Sequence, residues 1–113
     1  MARNSSLETG ELTDTAFYIL LSLLQTNHGY LIMKSIESMT DGQFSIGPAS
    51  LYTTIKKLLA AELIKRFETD LDNKKRYIAT EKGIDLLKKE VVRRKEMVLH
   101  AEKLFNQIGA CEK

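Results

Sequence analysis

The C-terminal stretch of this 113-residue chain carries an apolar seam that a core of its own could not cover. Ile84, Leu87, Val91, Arg94, Val98, Ala101, Phe105 and Ile108 follow in alternating steps of three and four. That spacing keeps one face of a helix against a packed neighbour. Leu86, Val92, Leu99 and Leu104 widen the face, and Thr80 stands where an N-cap belongs, with Glu81 and Asp85 in the opening turns. The helix so predicted runs to about Ile108, about 28 residues and roughly 40 Å. A chain this short has too little left to bury it, so the seam predicts a second copy.

The first helix makes the same demand. Thr13 can cap a helix to about Thr26, with Asp14 at its positive end. Ala16, Phe17, Ile19, Leu20, Leu21, Leu23 and Leu24 cover almost its whole circumference, and a helix apolar all round is buried on more than one side. Packed on helix four of a partner, it places Phe17, Leu20 and Leu24 at a homodimer interface with Ile84, Leu87, Val91, Arg94, Val98, Phe105 and Ile108.

Between these helices the period changes twice. Asn27-His28-Gly29 breaks helix one, and Leu31, Ile32, Ile36 and Met39 place a second helix over Tyr30 to about Met39. Thr40 to Gly47 is a turn, and Pro48 opens a third helix to about Ala61, with Leu51, Ile55, Leu58 and Leu59 inward. Leu63 to Thr69 and Lys75 to Thr80 then read as two strands around the turn Asp70-Leu71-Asp72-Asn73-Lys74. Three helices, a β-hairpin and a long helix give a mainly α fold, a winged helix-turn-helix with a C-terminal dimerisation helix. The division expected is a flexible N-terminal arm over 1–11, a DNA-binding domain over 12–80, the dimerisation helix over 81–108 and a tail over 109–113.

Helix three has the chemistry of a recognition helix. Ser50, Tyr52, Thr53, Thr54, Lys56 and Lys57 stand opposite its apolar stripe, offering hydroxyls to phosphates or base edges and two charges to the backbone. The wing adds Lys74, Lys75 and Arg76 in one run, suited to a flanking phosphate backbone or minor groove. Gln43 to Thr80 holds seven basic residues against four acidic ones, a local excess of +3 in a chain whose total is only +2. The partner expected is double-stranded DNA carrying an inverted repeat.

The text of the segment resembles the PadR family of bacterial transcriptional regulators. The matching pieces are Leu12-Thr13, His28-Gly29-Tyr30, Ser50-Leu51-Tyr52, Leu63-Ile64, Arg76-Tyr77 and Thr80-Glu81-Lys82-Gly83, in that order across residues 12–108. A single helix after the wing resembles the short branch of the family. The resemblance implies a phosphate-contacting hydroxyl at Tyr52 and repression of efflux or stress-response genes. It also implies a central cavity for small aromatic molecules. Two departures stand out. The family's glycine before the first strand is Glu62 here, which predicts a helix end of other geometry. Some relatives stack flat drugs on a tryptophan of the last helix, whereas this chain has none and reads Arg93-Arg94-Lys95 there. Arg94 either reaches solvent along its aliphatic stem or faces the cavity, in which case a small-molecule effector would be anionic.

Other classes find no footing. His28 and His100 are isolated, and Cys111 has no neighbour at ligand spacing, so neither metal nor cofactor is expected. No nucleophile elbow, phosphate-cradling glycine loop or apolar carboxylate pair points to an enzyme. The apolar run Ala16 to Leu24 follows Glu8, Glu11 and Asp14 rather than a basic segment, and is too short to span a bilayer. With one cysteine, the chain reads as cytoplasmic. The rival to DNA binding is a winged-helix module that binds protein.

Overall fold

A computed structural model describes residues 11–67 and 75–112, with side chains described as far as Gly109. Most of the expected N-terminal arm, Lys74 with the rest of the hairpin tip, and the side chain of Cys111 lie outside the described residues.

Helix α1 spans Asp14–Ser22 and starts as the sequence predicts, with the Thr13 hydroxyl accepting from the Ala16 amide at 3.1 Å. It ends four residues short of Thr26. Leu23 leaves the helix, and its carbonyl accepts from the amide of Ala79 at 2.8 Å. That bond turns the chain toward the sheet, where Asn27–His28 form strand β1 rather than a mere break. Helices α2 (Gly29–Met39) and α3 (Pro48–Ala60) follow, then β2 (Ile64–Phe67), β3 (Arg76–Ala79) and α4 (Glu81–Glu112). The sheet is antiparallel in the order β1-β3-β2, so the expected hairpin carries a third strand. Ile64 pairs with Ala79 and Phe67 with Arg76, while Asn27 pairs with Tyr77 and His28 with Arg76.

Helix α3 ends in the geometry the sequence reading denied it. Glu62 takes φ 64, in the left-handed region, and donates to Leu59 while Leu63 donates back to Leu58 at 2.9 Å. This is the arrangement a glycine usually supports, carried by a glutamate. The Thr80 hydroxyl donates to the Glu62 carbonyl at 2.7 Å and Lys82 Nζ to Ala61 at 3.0 Å, which hold the strained turn from outside. The Asp41 turn after α2 is built likewise, at φ 53.

The core gathers Leu12, Ile19, Leu20 and Leu23 with Ile32, Ile36, Leu51, Ile55 and Leu58. Leu63, Ile64, Tyr77 and Leu87 close it from the sheet and α4. Leu20 and Leu87 were expected at the dimer seam. Both are instead buried in the chain's own core, because α1 and the first turns of α4 pack within one chain. At Gly83 an added β-carbon would sit 2.0 Å from the Leu63 carbonyl oxygen, so only glycine lets α4 press on the start of β2. Its amide donates to the Thr80 hydroxyl at 3.1 Å, which caps α4.

Past Val91 the long helix leaves its core. At 32 residues it is about 48 Å long. It stretches the molecule to 63 × 32 × 25 Å, with a radius of gyration of 16.9 Å where about 13 Å would be ordinary.

Candidate nucleic-acid interface

Helix α3 divides cleanly along its length. Leu51, Ile55 and Leu58 are buried, while Ser50, Tyr52, Thr53, Lys56 and Lys57 are exposed and Thr54 is half-buried. The 3.6-residue repeat puts these sets on opposite sides, so burying the first set obliges the second to face outward. Pro48 fixes the first turn, and the N-cap Gly47 makes no side-chain capping bond. The aromatic end of Tyr52 leans back onto Gly29 at the start of α2, which is how the two helices of the motif meet.

The sheet supplies a second basic surface. Opposed residues share a face and neighbours along a strand alternate. Tyr77 and Ala79 are buried, so Arg76 and Ile78 point outward, together with Lys65, Phe67 and His28 across the strands. Lys75, just before β3, is exposed, and Arg76 is half-buried. Sequence reasoning named Lys75 and Arg76 as contacts, counted Lys65 only toward the local charge and passed over Phe67. Their signal was the alternation of Ile64-Lys65-Arg66-Phe67 read against the partner strand, which needs the register to decode. Lys74 lies outside the described residues.

A different surface faces away along α4. Val98 is 55% exposed and Phe105 69%, with Val92, Met97, Leu99, Leu104 and Ile108 also open. Leu24, just past the end of α1, is exposed too, whereas Phe17, Ile84 and Val91 are half-buried. Where α4 passes α1, Phe17, Val91, Arg94, Lys95, Val98 and Leu99 line an apolar concavity of about 410 Å³. Arg94 does not extend into solvent there. Its guanidinium donates to Asp14 Oδ1 at 3.0 Å and the Leu12 carbonyl at 2.6 Å, and lies over the Phe17 ring, 4.4 Å from its centroid.

Beside it is a charge that sequence reasoning missed. Glu90 is 1% exposed and accepts from the Leu12 amide at 2.7 Å and from Arg93 Nη2 at 3.0 Å. The Arg93 hydrogen bond holds its carboxyl below the ordinary glutamate range, against the opposing pull of burial, and the Leu12 amide and Arg94 add to that lowering. Glu90 falls three residues after Leu87 and four before Arg94, so the helical period itself placed it inward. The cluster pins α4 to the chain entering α1.

Among the described residues, no group of three His, Cys, Asp or Glu side chains could hold a metal, and no helix is long and apolar enough to cross a membrane.

Comparison with known proteins adds a lineage to this geometry. The model of the transcriptional regulator PadR-like family matches residues 19–89. No curated protein matches the sequence. Among solved structures, a transcriptional regulator from Clostridium thermocellum shares the fold with a TM-score of 0.64 at 22% identity, over 95% of this chain and 97% of that one. A PadR-family transcriptional regulator from Eggerthella lenta does so at 0.65 and 21%, over 80% of each chain. A mutant of ZitR from Lactococcus lactis, solved in complex with DNA, gives 0.60 at 25%, over 86% of this chain and 62% of that one.

Proposed function

Because this chain belongs to the transcriptional regulator PadR-like family, we propose that it is a cytoplasmic repressor that binds an inverted-repeat operator as a homodimer. The observation that carries the reading is the split of α3, with Leu51, Ile55 and Leu58 buried and Tyr52, Lys56 and Lys57 turned outward. That face enters the major groove, the hydroxyls and lysines reaching phosphates and base edges. The outer face of the sheet, with Lys75 and Arg76, follows the flanking backbone. The DNA complex of ZitR supports the same partner for this fold.

The open face of α4 supports the homodimer. Val98, Phe105 and Ile108 form a continuous apolar stripe in a helix that its own chain covers only at one end. A second α4 and α1 would bury it, and the two-fold axis would space the recognition helices by about one turn of DNA. An effector would enter the apolar concavity beside Arg94, whose guanidinium is already held by Asp14 and the Leu12 carbonyl, so the space suits an apolar ligand. Such a ligand changes DNA affinity only by binding the two dimer states unequally.

The test is binding of the purified chain to the DNA upstream of its own gene, followed by fluorescence anisotropy. Binding with strong salt dependence, at two chains per site, is the expected result. No preference over unrelated DNA would refute the operator reading and favour a protein-binding module.

A further inference from the structure

Gly29 opens α2 and is buried beneath Tyr52. Its backbone does not take the left-handed conformation, so glycine is needed here for space rather than for freedom. A β-carbon at this position would meet the Tyr52 hydroxyl at 2.2 Å, Cζ at 2.9 Å and Cε1 at 3.4 Å. Atoms in ordinary contact stand about 3.5 Å apart or more. One partner would have to yield by more than about 1 Å.

Which partner yields follows from what holds each. Gly29 continues directly from β1, whose two residues pair with β3, and leads into buried Ile32. Tyr52 sits on the outward face of α3, 48% exposed, and two side-chain torsions move its hydroxyl end. The ring moves and the backbone stays. The contrast is Gly83, where the added carbon meets a backbone oxygen that cannot swing aside.

We propose that Gly29 is a positioning residue for DNA binding: its bare Cα seats the Tyr52 hydroxyl at the DNA-facing surface of α3. The inference rests on the operator reading above. A methyl group at residue 29 displaces the hydroxyl and leaves the core untouched, because the moving atoms lie outside it. Gly29 thereby couples the start of α2 to the recognition helix without touching DNA itself.

The experiment compares the wild-type chain, Gly29→Ala, Tyr52→Leu and the double variant on the upstream DNA. Thermal melting and sedimentation accompany each. Gly29→Ala is expected to weaken binding on the order of a hundredfold, about tenfold for the one hydrogen bond to a charged group lost in each of the two chains. Its melting temperature and dimer state should stay at wild-type values, and so should its salt dependence, because the displaced hydroxyl carries no charge and releases no counterion. In the Tyr52→Leu background the same change should do nothing, since the ring it displaces is gone. Equal losses in both backgrounds, no loss in the wild-type background, or a Gly29→Ala chain that fails to fold would each overturn the proposal. A wild-type chain without operator binding would overturn the DNA reading instead, a result read before any variant is made.

Discussion

Replacing Gly83 by alanine sets two effects of known size against each other. Helix propensity favours the change, since alanine inside a helix is better than glycine by about 0.5–1 kcal/mol. The structure opposes it. The new β-carbon would lie 2.0 Å from the Leu63 carbonyl oxygen, 3.0 Å from its carbon and 3.3 Å from its Cα. Relief requires α4 and the start of β2 to part by more than about 1 Å. Leu63 is buried, and its carbonyl accepts from Thr80 at 3.0 Å, so the shift overpacks one side and strains that bond. Overpacking costs about 1–3 kcal/mol and a lost backbone hydrogen bond about 1. The clash wins, leaving a net destabilisation of about 1–3.5 kcal/mol, with a midpoint a little above 2. At about 2.1 cal/mol/K per residue, 113 residues convert this to a fall in melting temperature of about 10 °C. Circular dichroism melts would read it, with Gly109→Ala on the same helix as the control. There an added β-carbon meets nothing, so propensity acts alone and the melting point holds or rises slightly. A Gly83→Ala chain as stable as the control would refute the close packing of α4 on β2.

Other perturbations follow from single observations. Glu62→Gly relieves a left-handed glutamate and should stabilise the chain by about 0.5–1 kcal/mol in urea unfolding; a loss would show that Glu62 contributes more than its strain. Glu90→Gln weakens the tie between α4 and Leu12 and should cost about 1–3 kcal/mol at neutral pH. Because the folded carboxyl titrates below its unfolded value, its contribution is present above about pH 5 and fades as pH falls below about 4. The variant should therefore lose part of the acid dependence of stability, and an unchanged acid limb would count against the cluster. Val98→Glu puts a charge into the proposed seam at a site its own chain leaves open. Sedimentation should show a folded monomer at micromolar concentration, whereas Leu87→Glu should unfold the chain outright.

Much of this fold is legible as periodicity. The inward stripes of α2 and α3 and the cap at Thr13 need only local spacing, and the structure places them close to where the sequence does. What escaped was set from far away. Strand β1 is two residues long and exists because β3, about fifty positions later, offers it partners. The early end of α1 has the same cause, the Ala79 amide taking the Leu23 carbonyl. Glu62 misled because the left-handed turn is imposed by Thr80 and Lys82 rather than by its own side chain. Leu20 and Leu87 misled because an apolar residue on an interface stripe can be consumed by its own core first. The outward set on α3 was readable because burying Leu51, Ile55 and Leu58 leaves Tyr52, Lys56 and Lys57 nowhere else to go. Lys65 was not, since its side of the sheet depends on register.

The central claim is that the outward face of α3 lies on DNA phosphates. The most direct measurement is the salt dependence of operator binding for the wild-type chain and for Lys56→Ala/Lys57→Ala. Each phosphate contact contributes about 0.9 to the slope of log affinity against log salt concentration. Two lysines in each of two chains should therefore flatten the slope by up to about 3.6, with affinity falling at every salt concentration. Both lysines are exposed, so the fold should be unaffected. A variant with the wild-type slope and affinity would contradict the account, and α3 would then face something other than DNA.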